Sequence, residues 1–245
     1  MKTRIYQNLL ITYTTVLTIA FVTLVFMGAR KPPANTDFDQ ITVHRINIVE
    51  PDGTTRMIIS DRAEFPGAYY MGKEYSRTDR DATGMLFNDE EGTENGGLIF
   101  GGKKDKDGTT HSWGHLSFDE YQRDQTLVLE SDSDGAERTT YYGINDNDYP
   151  YAITPEVSAE WQRVKAMPQG PEREAAAKAW QTKYPGGVVN RAHFGRDRDK
   201  SVSLSLKDQQ GKARLIARVA PDGTPVLEFL DATGKVVRAI TADSK

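Results

Sequence analysis

Hydrophobic and polar positions follow distinct rhythms in successive stretches of this chain. The first stretch has almost no polar positions. Leu9 to Ala29, LLITYTTVLTIAFVTLVFMGA, runs 21 residues without a charge. At ~1.5 Å per residue a helix of that length covers the ~30 Å hydrocarbon core of a bilayer. The apolar region of a cleaved signal peptide is typically ~7–15 residues, so this run is expected to stay as a membrane anchor through residues 9–29. Cleavage after FMGARKPPA is the alternative. Lys2 and Arg4 flank one side and Arg30 and Lys31 the other, a near tie under the positive-inside rule. The short N-terminal tail tips the reading toward an N-inside anchor with the body outside the cytoplasm.

Beyond a polar, proline-bearing linker, RKPPANTDFDQ, the rhythm becomes two. Short alternating strands meet at Asp/Gly turns in INIVEPDGTTRMII, LVLESDSDGAERTTYY, LSLKDQQGKARLIARV, RVAPDGTPVLEF and LEFLDATGKVVRAI. Alternate apolar residues such as Leu204, Leu206, Leu227 and Phe229 give each strand one face to bury. The carboxylates of Asp52, Asp134, Asp208, Asp222 and Asp231 are placed to accept from the backbone two residues on. Gly53, Gly135, Gly211, Gly223 and Gly234 supply positive φ. Between 151 and 186 the period changes to helical. Thr154 reads as an N-cap before Pro155, and GPEREAAAKAWQTKYPGG reads as a second helix stopped by Pro185. Trp161 and Trp180 are expected to pack onto the sheet.

The predicted architecture is therefore mainly β: a single N-terminal transmembrane helix, then an antiparallel, hairpin-rich body (sheet, sandwich or roll) with a helical-hairpin insertion. The expected organisation is an anchor over 1–29, a linker over 30–40, a β region over 41–150, the helical hairpin over 151–186 and a C-terminal β meander over 187–245.

Charge narrows the partners. Of 31 basic side chains, Lys2 and Arg4 precede the apolar run, leaving 29 against 35 acidic ones and a net of −6 for the rest. No basic stripe is available to neutralise phosphates, which argues against nucleic acid. The absence of cysteine removes disulfides, thiolate metal sites and cysteine nucleophiles. In the anchor, Thr14, Thr15 and Thr18 are candidates for contact with a neighbouring membrane helix, since small hydroxyl residues favour close helix packing. The alternative is that each hydroxyl bonds its own helix.

Candidate chemistry is sparse. Gly97 to Lys103, GLIFGGK, approaches a phosphate-binding loop, but Lys104 stands where Ser or Thr must hold magnesium, and a turn follows instead of a helix. A strand with close backbone approach at its glycines is the expectation. Glu130, Asp132, Asp134 and Gly135 match the early positions of a calcium loop, yet Tyr141 takes the place of the bidentate Glu. His111 and His115 share a strand face but stand ~13 Å apart, too far for one ion. No GxSxG links a serine to any histidine. Asn88, Asp89, Glu94 and Asn95, beside paired glycines, are candidate ligand contacts. The acidic run Asp89, Glu90, Glu91, Glu94, Asp119 and Glu120 would support hydrolysis only if two of its carboxylates met in a cleft. No cofactor is expected.

The strings GMLFNDEEGTENGGLIFGGK, LSFDEYQRDQTLVL and FGRDRDKSVSLSLKDQQGKARLIARVAPDGTPVLEFLDATGKVV resemble a set of uncharacterised bacterial membrane-anchored proteins. These share an FNDEG-x-E-x-GGL core, a short helical pair and closing D-x-x-G-K hairpins. The resemblance covers most of the chain after residue 40. It implies a bacterial origin and a common architecture, and brings no activity or site residues with it. The leading expectation for function is a non-catalytic, membrane-anchored interaction module, an accessory subunit of a larger membrane complex of respiratory or photosynthetic type. The alternative is an extracytoplasmic binding module for envelope glycan or a small ligand, and a carboxylate hydrolase ranks third.

Overall fold

A computed structural model describes residues 2–28, 37–77 and 80–244. The chain forms two units, residues 1–42 and residues 43–245. In the first, the helix α1 (Lys2–Gly28) follows the apolar run, and its stretch Thr3–Phe26 is long and apolar enough to cross a membrane. Most of the linker expected over 30–40 lies outside the described residues.

The second unit is built on a single antiparallel sheet. Its strands are β1 (Arg45–Val49), β2 (Thr55–Ser60), β5 (Thr83–Asn88), β6 (Glu94–Lys104), β7 (Thr110–Asp119), β8 (Gln125–Asp134) and β9 (Glu137–Asn147). It continues through β10 (Val188–Arg196), β11 (Val202–Lys207), β12 (Ala213–Val219), β13 (Pro225–Leu230) and β14 (Val236–Thr241). All 12 pair in chain order, from β1 at one edge to β14 at the other. The short hairpin β3 (Ala68–Tyr70) and β4 (Lys73–Tyr75) is the only other sheet among the described residues. The helices α2 (Pro155–Ala166) and α3 (Pro171–Lys183) form the predicted helical hairpin, with Thr154 at the N-cap of α2. This insertion interrupts the chain without dividing the sheet, because β9 and β10 pair directly across it from Val188↔Asn147 to Arg196↔Thr140.

Turn chemistry explains the meander. In the hairpins beginning at Glu50, Asp89, Asp105, Asp208, Ala220 and Asp231, the first residue donates its N–H to the carbonyl four residues on. It also accepts from the glycine three residues on. Each of these glycines has positive φ, from +74° at Gly211 to +93° at Gly53 and Gly108. This is a type I turn closed by a left-handed residue, which leaves a bulge on the strand. The predicted Asp carboxylates accept from the N–H two residues on at Thr54, Gln210, Thr224 and Thr233, at 2.8–3.0 Å. Asp134 departs from that prediction. Its carboxylate pairs with His111 across the sheet at 3.0 Å, because β8 continues through it to a tighter turn at Gly135.

The predicted strand GGLIFGG is β6, and its glycines do serve the backbone. A Cβ on Gly96 would clash with the Ser117 carbonyl oxygen and one on Gly97 would stand 2.9 Å from that of Met85, while at Gly101 it would meet the Trp113 indole, 2.7 Å from Nε1. The core is small: Ile58 and Leu86 are buried beneath Tyr69 of the β3–β4 hairpin, with Phe65 and Ile99 against them. Arg45 holds this hairpin in place by donating to the Tyr69 hydroxyl at 2.9 Å and to Glu74 at 3.0 Å.

Candidate functional site

Register gives the sheet two unlike faces. Following paired residues strand by strand, one row runs Ile46, Ile59, Met85, Leu98, Leu116, Leu129, Tyr142, Phe194, Leu204, Ala217, Leu227, Ile240. Every strand contributes one residue, and none is charged. The next row on the same face runs from Ile48 through Phe118, Ile144 and Leu206 to Phe229, and reaches its first charge at Arg238 on the edge strand. The opposite face is mixed: in register it carries Arg45, Ser60, Ile99, His115, Glu130, Tyr141, Ser203, Arg218 and Val226, and the buried Ile58, Leu86 and Val128 lie on it one row away.

The apolar rows remain open to solvent. Phe194 is 54% exposed, Phe118 52% and Leu129 44%, whereas Val128, one residue away on the opposite face, is 2% exposed. The expectation that Leu204 and Leu206 lie on a buried face is therefore corrected, since both stay half-exposed. Burial needs a second layer, and the short hairpin and the cavity described below lie on the other side. Toward the C-terminal edge the open face forms a hollow of about 460 Å³ floored by Phe194, Val202, Leu204, Val219, Leu227 and Ile240.

A cavity of about 900 Å³ lies among β3, the β7–β8 turn and the helical hairpin. The backbone N–H of Ile153 donates to the carbonyl of Gln122 at 2.8 Å, fixing the approach to α2 against that turn. One wall is aromatic. Trp161 and Trp180 have ring centroids 4.7 Å apart, Trp180 and Tyr184 5.3 Å, and Tyr151 and Tyr184 5.5 Å. The two tryptophans, expected on the sheet, thus pack against each other between the helices, their rings tilted by 36°. The lining also brings together Glu94, Asp119 and Asp124. Both oxygens of Glu94 accept from Nη2 of Arg80, whose Nη1 donates to the Gly67 carbonyl at 2.8 Å. Asp119 is a further carboxylate of the same cavity. Burial pushes its carboxyl up to about 7, the charges of Glu94 and Asp124 add to that, and Ser117 and Arg80 pull the other way. Its Oδ1 is buried without a hydrogen-bond partner.

Of the four candidate ligand contacts, only Glu94 lines this cavity. Asn88 is buried and donates to the Thr55 carbonyl at 2.9 Å. Asp89 builds its own turn, accepting from the N–H groups of Glu91 at 3.0 Å and Thr93 at 2.8 Å. Asn95 is exposed on β6. These positions belong to hairpin construction, which uses the same residue types as ligand binding. Sequence reasoning missed Arg80, for which no signal existed, and grouped Asp119 with a solvated acidic run.

The three residues of the calcium-loop pattern lie on β8. Glu130, Asp132 and Asp134 alternate along a strand, and no metal-holding group of three His, Cys, Asp or Glu occurs among the described residues. Glu130 is instead taken up by His115 and Tyr141, each at 3.2 Å. In α1, Thr14, Thr15 and Thr18 donate to carbonyls four residues back at 2.8–2.9 Å, so their hydroxyls are satisfied within the helix. The hydrolase reading required two carboxylates with shifted pKa in one cleft. The cavity holds one raised carboxyl, Asp119, beside a Glu94 held by its guanidinium. Comparison with protein-family models and with curated proteins finds no match to this chain.

Proposed function

We propose that this chain is a non-catalytic, membrane-anchored interaction module. Its body stands outside the cytoplasm of a bacterial inner membrane and docks on protein through the apolar face of its sheet. In this reading it serves as an accessory subunit of a larger membrane complex, of respiratory or photosynthetic type. The observation that carries the proposal is the uncharged row of 12 paired positions, one per strand, on a face that is half-exposed. Contiguous apolar surface on that scale marks an interaction site in soluble domains. Each half-exposed Leu or Phe that a partner covers adds roughly 1 kcal/mol. The test is a mild-detergent pull-down from native membranes, with mass spectrometry of what remains bound in fixed ratio. Stoichiometric protein on the wild type, lost from a Phe194→Asp variant, is the expected result. Binding that is insensitive to Phe194 would move the docking surface elsewhere.

A second reading rests on the aromatic cavity: an extracytoplasmic binding module for envelope glycan or another small ligand. Clustered tyrosines and tryptophans together with carboxylates suit a body with apolar faces and hydroxyl edges. A glycan array in which Glu94→Gln and Trp161→Ala leave every signal unchanged would dismiss it.

A further inference from the structure

We infer that the occupant of the apolar face is a second copy of this chain, packed sheet against sheet. This inference rests on the docking reading above and names its partner. The size fits. Twelve strands spaced ~4.8 Å apart carry the strip for roughly 50 Å along the sheet, and two side-chain rows make it about 13 Å wide. That footprint, on the order of 700 Å², is close to the ~800 Å² per partner of a stable protein interface and beyond the ~300–600 Å² patch of an ordinary monomer.

Charge points the same way. The sequence after the anchor carries a net of −6 (29 basic against 35 acidic side chains), so copies repel one another over most of their surface. The central row of the open face has no charge in 12 strands, and the paired positions of the two rows flanking it carry only Arg238, at the edge, and Arg196 on β10. A strip with so few charges meets its own copy with little like-charge repulsion. It also lacks the patterned charges that select a different partner. Two such faces packed at the ~10 Å spacing of aligned sandwiches would interdigitate their rows across a two-fold axis lying in the interface. A membrane anchor confines copies to one surface and raises their encounter rate.

The strip's midpoint falls between β8 and β9, the sixth and seventh strands in the sheet order. Any central two-fold axis therefore brings Leu129 close to its counterpart. The chain has no cysteine, so single cysteines report without interference. The experiment uses the full chain in native membranes, with Leu129→Cys on the open face and Ser205→Cys on the opposite face, treated with a short bismaleimide. The expected result is a cross-linked species of twice the chain mass for Leu129→Cys and none for Ser205→Cys. Adding Phe194→Asp should cut that product by about tenfold while the far-ultraviolet circular dichroism stays unchanged. Protection of Leu129→Cys together with a cross-link to a different protein would overturn the second-copy assignment and leave the docking reading standing. Rapid labelling by a bulky maleimide with no cross-link would overturn both, as would lipid recovered on a single-copy protein.

Discussion

At the scale of residues, Arg80 and Asp119 are two positions where burial and charge conflict. Arg80 is 12% exposed and Glu94 21%, so removing either leaves a buried charge without its partner. Arg80→Ala should destabilise the body by about 3 kcal/mol, and adding Glu94→Gln should recover much of that loss. Denaturant unfolding of both variants checks it; equal losses for single and double variants would mean that the pair is not the cause. Asp119 has a folded pKa of about 7 against an ordinary 3.8. The folded state therefore holds this proton longer than the unfolded chain, and its contribution to stability falls as pH rises from about 4 to about 7. Asp119→Asn removes that penalty. Relative to the wild type, it should be more stable at pH 8 than at pH 4, by a few kcal/mol at most. Parallel pH profiles for the two proteins would show that Asp119 does not titrate in this window.

At the scale of elements, the hairpin turn is the repeating unit. It needs a left-handed residue three positions after its first, which glycine supplies in six hairpins. The hairpin starting at Asp197 puts Lys200 there, at φ +72°. A non-glycine residue in that region costs ~1–2 kcal/mol, partly offset by the greater unfolded-state freedom of glycine. Lys200→Gly should therefore stabilise by about 0.5 kcal/mol, while Gly234→Ala, at φ +85°, should cost about 1 kcal/mol. Melting temperatures moving in the same direction for both would contradict this account. The turns, both helices and the strand nature of GLIFGGK were legible because each depends on neighbours within a few residues. Asp134 was not, since its carboxylate answers to His111 on the adjoining strand.

At the scale of the whole molecule, the sheet stands largely as one layer, and neighbouring residues on one strand should report that asymmetry. Val128 is 2% exposed and Leu129 44%. Val128→Ala should cost about 2 kcal/mol at any protein concentration. Leu129→Ala should cost well under 1 kcal/mol in a dilute single copy and more as copies associate. Hydrogen exchange should begin at β14, which is exposed along its whole length and has an unpaired outer edge, and should be slowest in β2 and β5 beneath the hairpin. Uniform protection across the sheet would mean that another layer covers it.

The sequence by itself determined the apolar helix, the order of hairpins, the caps and the alternation that gives every strand an apolar side. All of these follow from local periodicity and turn stereochemistry. Only the tertiary structure decided that the apolar sides of twelve strands align into one open strip, because register couples strands that the period-two pattern treats one at a time. It likewise decided that Glu94 meets Arg80 and that Asp119 turns into an aromatic cavity. Those contacts join segments from 68 to 186, and burial, which sets their charge state, is a property of the assembled layers and not of any one stretch of chain.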